Sequence, residues 1–236
     1  MNIKLNRNQL KYIAIIAMII DHIALHFIPM NTIIYTIFRT IGKLTAPIMC
    51  YFLVEGYKHT SSKKKYGMRL LIFAIISQLT YSVAHFYTLF IFNFNMIFTL
   101  FICFTILWSY DKIKNVWLKC ILILFLTCIS YFCDWGIFAP LWVFVFYVFD
   151  TKTLLQIISY CIIVGMVIIK YVALCENGEF GWNIALCQLG LFLFLPILYL
   201  YNGKNGNNNG FNKWFFYIFY PLHFLIIILI KIIMWT

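Results

Sequence analysis

The sequence predicts an all-α, polytopic integral membrane helix bundle. Composition, the length of the apolar runs and the placement of the basic residues predict it. Of 236 residues, 64% are hydrophobic and 11% are charged, whereas soluble domains carry about 45–50% apolar and about 25% charged residues. The apolar runs approach the ~20 residues that a bilayer-spanning helix needs. About nine of them fit, which makes residues 1–236 a single transmembrane domain with no length left for a soluble one. No internal repeat is visible, and no pair of Gly- or Pro-broken spans stands out.

Taken in order, the spans fall at about 9–29, 33–57, 66–86, 89–109, 115–133, 136–149, 153–174, 182–201 and 214–234. The first resembles a signal peptide, with Lys4, Arg7 and Lys11 ahead of an apolar run. No small-residue cleavage site follows and Asp21-His22 interrupts the run, so it reads as a retained span. The sixth is short enough to be re-entrant. Lys4 and Arg7, Lys58 with Lys63 to Lys65, Lys112 and Lys114, Lys152, and Lys204 and Lys213 mark alternate loops. The opposite loops carry Asp134, Glu176 and Glu179 instead. By the positive-inside rule the N-terminus is cytoplasmic and the C-terminus lies outside. The segment 203–210, GKNGNNNG, reads as a flexible cytoplasmic linker.

The net charge of +11 follows those loops, so it speaks for membrane lipids and against nucleic acid as a partner. Eight cysteines are present, none in a CxxC pair, and most sit in apolar runs. They read as small hydrophobes inside helices.

The chemistry concentrates in "AMIIDHIALHF", residues 17–27, where Asp21, His22 and His26 interrupt the first span. Ionisable groups within spans are costly and face a bundle interior or a wet cavity. Span two adds Arg39, Lys43 and Glu55; span three adds Arg69, Gln78 and His85. Span four adds Asn93, Asn95 and Thr99, and span nine adds His223. At 1.5 Å per residue, His22 lies roughly 16 Å beyond Lys11, Lys43 about 15 Å and Arg39 about 9 Å from the outer end of their span, and His223 about 14 Å from its inner end. These groups are expected to converge near the midplane or slightly outside it. Lys11 and His22 differ by only about 20° around the helix, whereas Asp21 points about 100° from His22. Asp21 is therefore the expected counter-ion of Arg39 or Lys43 on the next helix. Glu55 is placed at the cytoplasmic end of span two, within the expected reach of Arg69.

Plainer readings stand beside these. A lone membrane histidine is often an interhelical hydrogen bond. Arg39 and Lys43 serve equally as structural ion pairs with Asp21. His26 lines a wet route as readily as it catalyses. His223 follows Pro221 in "YPLH", where proline frees a carbonyl and kinks a helix. A metal on Asp21, His22 and His26 lacks further ligands, and none is expected.

"LKYIAIIAMIIDHIA", "RTIGKLTAPIMCYFLVEGYKHT", "KKYGMRLLIFAIISQL", "NMIFTL" and the late "YPLH" together resemble the TraX family. The resemblance spans residues 10–100 and returns at 220–223. It implies kinship with the polytopic membrane acyltransferases of bacterial cytoplasmic membranes, which take an acyl group from cytoplasmic acyl-CoA. It also implies an acceptor such as a pilin-like peptide N-terminus, with a sugar or small molecule open beside it. The superfamily's basic residue, with ten positions between it and a histidine, corresponds to Lys11 and His22, with Lys replacing the more usual Arg. Lys43 likewise stands where the family often has Arg. The resulting expectation is an acetyl-CoA-dependent acyltransferase with His22 as general base or acyl relay, and Asp21, Arg39 and Lys43 around it. Arg39, Lys43 and the amides of Asn93 or Asn95 are the expected donors to a developing oxyanion. Lys11, Lys58, Lys64 and Arg69 are the expected phosphate contacts for acetyl-CoA. Glu55, Gln78, Asn95, His26 and His223 are substrate-facing or structural polar groups. The rival reading is a proton-coupled transporter relaying protons through Asp21 and His22.

Overall fold

The computed structural model describes residues 4–89, 91–150, 152–204, 206 and 210–235. Helices account for nearly all of the regular structure among them, and the two β contacts are isolated bridges, Leu5 with Tyr201 and Phe94 with Cys133. The polar segment 203–210 lies partly outside the described residues.

Most helix starts are written locally. Asn6 caps α1 (Arg7–Phe27) and shares a capping box with Gln9, its side chain accepting from the Gln9 amide at 3.0 Å. Thr32 caps α2 (Ile33–Gly42), and Ser62 caps α4 (Lys63–Phe86). Asn95 caps α5 (Met96–Lys112), and Asn115 caps α6 (Val116–Ser130). Each side-chain oxygen satisfies an otherwise orphaned amide of the first turn. The remaining helices are α3 (Thr45–His59), α7 (Phe138–Val148), α8 (Thr153–Glu176), α9 (Trp182–Cys187), α10 (Phe194–Leu200) and α11 (Gly210–Trp235).

Two expected spans are broken. Span two divides into α2 and α3 at Lys43–Leu44. Pro47, in the first turn of α3, has no N–H for the carbonyl four residues back, so a continuous helix would lose a bond there. Span eight divides into α9, a 3₁₀ stretch over Gln188–Leu193, and α10. The expectation that no broken helices stand out is corrected by this pair. Span four also starts late: residues 91–95 carry no helix, and α5 begins at Met96. Among the described residues, six helical segments are long and apolar enough to cross a membrane: Arg7–Phe27, Ile33–His59, Lys63–Phe86, Thr153–Glu176, Trp182–Leu200 and Trp214–Met234. Val116–Ser130 and Phe138–Val148 are apolar but shorter.

Contacts group the chain into two compact units, Met1–Met49 with Val148–Asn209, and Cys50–Tyr147 with Gly210–Thr236. In the first, α1 turns small or slender residues inward: Leu10, Ala14, Ala17, Met18 and Ala24. Gly42 brings α2 close, and a Cβ there would fall 2.1 Å from Asp21 Oδ1. Gly190 does the same on the opposite flank, where a Cβ would meet the Thr40 carbonyl oxygen at 1.9 Å. Tyr160 on α8 donates to the Leu191 carbonyl at 2.7 Å, which ties the 3₁₀ stretch to α8. In the second unit, Phe104, Trp142 and Phe146 are fully buried, and Gly67 admits the Phe104 ring. Lys231 of α11 donates to the Ala84 carbonyl at 2.7 Å, at the end of α4.

Candidate active site

The first unit holds Lys11, Asp21, His22, His26, Arg39 and Lys43. Arg39 Nη1 donates to Asp21 Oδ2 at 2.5 Å, with both side chains less than one-fifth exposed. The pair closes α1 onto α2, and Tyr35, buried one turn before Arg39, lies within electrostatic reach of the same guanidinium. Asp21 Oδ1 is buried without a hydrogen-bond donor among the described residues, covered by Gly42. Lys43 closes α2 at the helix break and is buried.

His22 Nδ1 lies 2.9 Å from the Met18 carbonyl. A carbonyl only accepts, so Nδ1 carries a proton, and in the neutral ring Nε2 is then the basic nitrogen. That bond fixes the ring orientation of His22 on α1. His26 stacks on it at 6.1 Å between centroids and 13° between planes. Lys11 lies on α1 about 16 Å along the axis from His22.

Two residues that sequence reading passed over belong to this cluster. Cys187, taken there for a small hydrophobe, is buried with its thiol 3.5 Å from the Thr36 carbonyl. It lies within electrostatic reach of Lys43, Arg39 and Asp21. Gln188 follows it, also fully buried. The readable signal was "CQLG", a glutamine and a glycine inside an otherwise apolar span.

The second unit holds the other expected residues. Asn95 Oδ1 accepts from the amides of Ile97 and Phe98, while Nδ2 donates to Ala74 O at 2.8 Å and Gln78 Oε1 at 2.9 Å. Gln78 Nε2 donates to Asn93 O at 2.9 Å. Both N–H groups of Asn95 are thus spent on the α4–α5 joint, which corrects the expectation that its amide faces an oxyanion. His223 is buried on α11, with Nδ1 3.3 Å from the Phe219 carbonyl and its ring stacked on Phe219. Glu55 is half-buried on α3. The Arg69 guanidinium lies over the Tyr66 ring at 5.6 Å. Lys58 donates to the Tyr147 carbonyl at 3.4 Å, and Lys64 is exposed.

Asp111, just past the apolar part of α5, was also overlooked. It accepts from Tyr57 and Tyr147, each at 2.6 Å, and from Lys63 at 2.9 Å. Burial raises its pKa, but the hydrogen bonds from Tyr147, Tyr57 and Lys63 outweigh burial and hold the carboxyl below its ordinary value.

These spans and their buried polar groups define a multi-pass, all-α membrane protein with an ionic cluster inside its helices. The family model described as "TraX protein" matches residues 6–231, and the chain belongs to that family. It is 34% identical to "Probable fimbrial assembly protein FimC, serogroup H1" of Dichelobacter nodosus, over 94% of each chain. A shorter similarity, 37% over 73 residues, covers 31% of this chain and 26% of an uncharacterized protein of Rickettsia prowazekii. No solved structure matches.

Proposed function

We propose that this protein is a membrane-embedded acyltransferase that moves an acetyl group from cytoplasmic acetyl-CoA to an amine or hydroxyl, with a pilin-like peptide N-terminus as the favoured acceptor. The observation that carries the reading is His22, whose Nδ1 is committed to Met18 O, next in the chain to Asp21 of the Asp21–Arg39 pair. The fimbrial assembly relative favours a peptide acceptor.

In this reading His22 Nε2 removes the proton of the attacking amine or hydroxyl. The nucleophile bonds to the thioester carbonyl carbon, and negative charge grows on the carbonyl oxygen. Lys43 and Arg39 are the cations of the cluster suited to that charge. The carbon–sulfur bond then breaks, and His22 returns its proton to the departing thiolate. Asp21 holds Arg39 in place and balances its charge. By their place in the basic loops, Lys11 in the first unit and Lys58, Lys64 and Arg69 in the second are each proposed as charges for CoA phosphates, flexible for the lysines and a planar fork for Arg69. Acetyl-CoA binding by the detergent-purified chain tests the donor. Wild-type protein is expected to bind it and Lys11→Ala to bind it about tenfold more weakly; equal binding by both removes Lys11 from the reading.

One observation favours the transporter as second reading. Broken helices beside a charged cluster are how carriers build midplane sites, and α2–α3 breaks beside the 3₁₀ stretch after α9. Proton-linked uptake by proteoliposomes without acetyl-CoA would favour that reading over acyl transfer.

A further inference from the structure

Gln188 opens the 3₁₀ stretch that lies against α2. Its Nε2 donates to the Ile184 carbonyl at 3.0 Å. That bond fixes the amide, because the reversed orientation would set oxygen against oxygen. Oε1 is therefore an acceptor turned into the protein, and no donor among the described residues meets it. Buried carbonyl oxygens are nearly always satisfied, so one left over needs a reason. Helix packing does not supply it, since an apolar side chain of the same length would fill the space without the penalty.

The position supplies a reason. Gln188 adjoins Cys187, whose thiol lies within electrostatic reach of Lys43, Arg39 and Asp21. Asn183, near the start of α9, hydrogen-bonds the Met30 carbonyl in the α1–α2 loop, so the three segments share a common end. From that end Gln188, Asp21 and Arg39 each lie six residues in, about 9 Å for a helical rise.

We infer that Gln188 Oε1 accepts a hydrogen bond from an N–H or O–H group of a bound reactant, at the level of the Asp21–Arg39 pair. The inference rests on the acyltransferase reading and narrows its ligand. A fixed carbonyl oxygen repels carboxylate and phosphate and favours a donor. Two reactants carry one: the acceptor, through its attacking amine or hydroxyl, and acetyl-CoA, through the amide N–H groups of its pantetheine arm.

Thermal unfolding of the detergent-purified full chain tests this, comparing wild type with Gln188→Met. Each is measured alone, with acetyl-CoA, and with a five-residue peptide bearing a free N-terminus. Alone, Gln188→Met is expected to melt near the wild-type temperature, because removing an unpaired buried acceptor offsets the lost bond to the Ile184 carbonyl. With ligand it is expected to lose the stabilisation seen in wild type and to bind about tenfold more weakly, the worth of one hydrogen bond. Loss with the peptide identifies the acceptor as the donor of that bond; loss with acetyl-CoA identifies the pantetheine amides. Retention by Gln188→Met of every ligand shift that wild type shows overturns the inference. A wild type shifted by neither probe overturns the acyltransferase reading and the inference with it.

Discussion

Asp21 and Arg39 act on stability as a unit, because each would be an uncompensated charge without the other. Breaking a largely buried pair from one side costs about 3–5 kcal/mol, whereas replacing both partners is far milder. Arg39→Met should therefore destabilise the protein strongly and Asp21→Leu/Arg39→Met much less, in a double-mutant cycle of chemical denaturation. Near-additive losses would show that the pair is not coupled. Gly42→Ala should mimic the single break, since its Cβ would fall 2.1 Å from the carboxylate. The pairing of Asp21 with the second helix was legible in the sequence, because depth and helical phase are arithmetic on residue number. The commitment of His22 Nδ1 to Met18 O was not, since it depends on a rotamer. Nor were Cys187 and Gln188, because their meaning comes from what α2 places beside them.

At the scale of the elements, hydropathy located the apolar stretches but is blind to breaks within them. A helix and a broken helix have the same composition; here Pro47 and "CQLG" were the local signs. The late start of α5 was likewise hidden, because the apolar residues before Asn95 count toward a span whether or not they are helical. Two glycines separate packing from propensity. Gly165, inside α8, has nothing within 4 Å of an added Cβ, so Gly165→Ala should stabilise the protein by about 1 kcal/mol. Gly190→Ala would press a Cβ to 1.9 Å from the Thr40 carbonyl, a backbone atom, and should destabilise the α2 contact and abolish activity. Similar melting temperatures for the two variants would contradict this packing. Asp111 joins α3, α4, α5 and α7 through Tyr57, Lys63 and Tyr147. Its pKa is lowered on folding, so its contribution is complete above the unfolded value of about 4 and fades as pH falls through the folded value. The stability difference between wild type and Asp111→Asn should therefore be constant near neutral pH and shrink only below about pH 4. A difference already shrinking between pH 7 and 5 would contradict the assignment.

For the whole molecule, composition settled the class because it decides which solvent the surface meets. Ile72, Ile75, Ile76 and Leu79 on α4, and Ile232, Ile233 and Met234 on α11, are exposed apolar side chains of the kind a bilayer covers. Function is legible only through the few groups that this apolar surface does not explain. Of these, His22 bears the central claim. The most direct measurement is transfer of labelled acetyl from acetyl-CoA to peptide by the reconstituted chain, comparing wild type with His22→Ala. The account predicts transfer by wild type and a loss of at least a hundredfold in His22→Ala at an unchanged melting temperature. Full transfer by folded His22→Ala would contradict it.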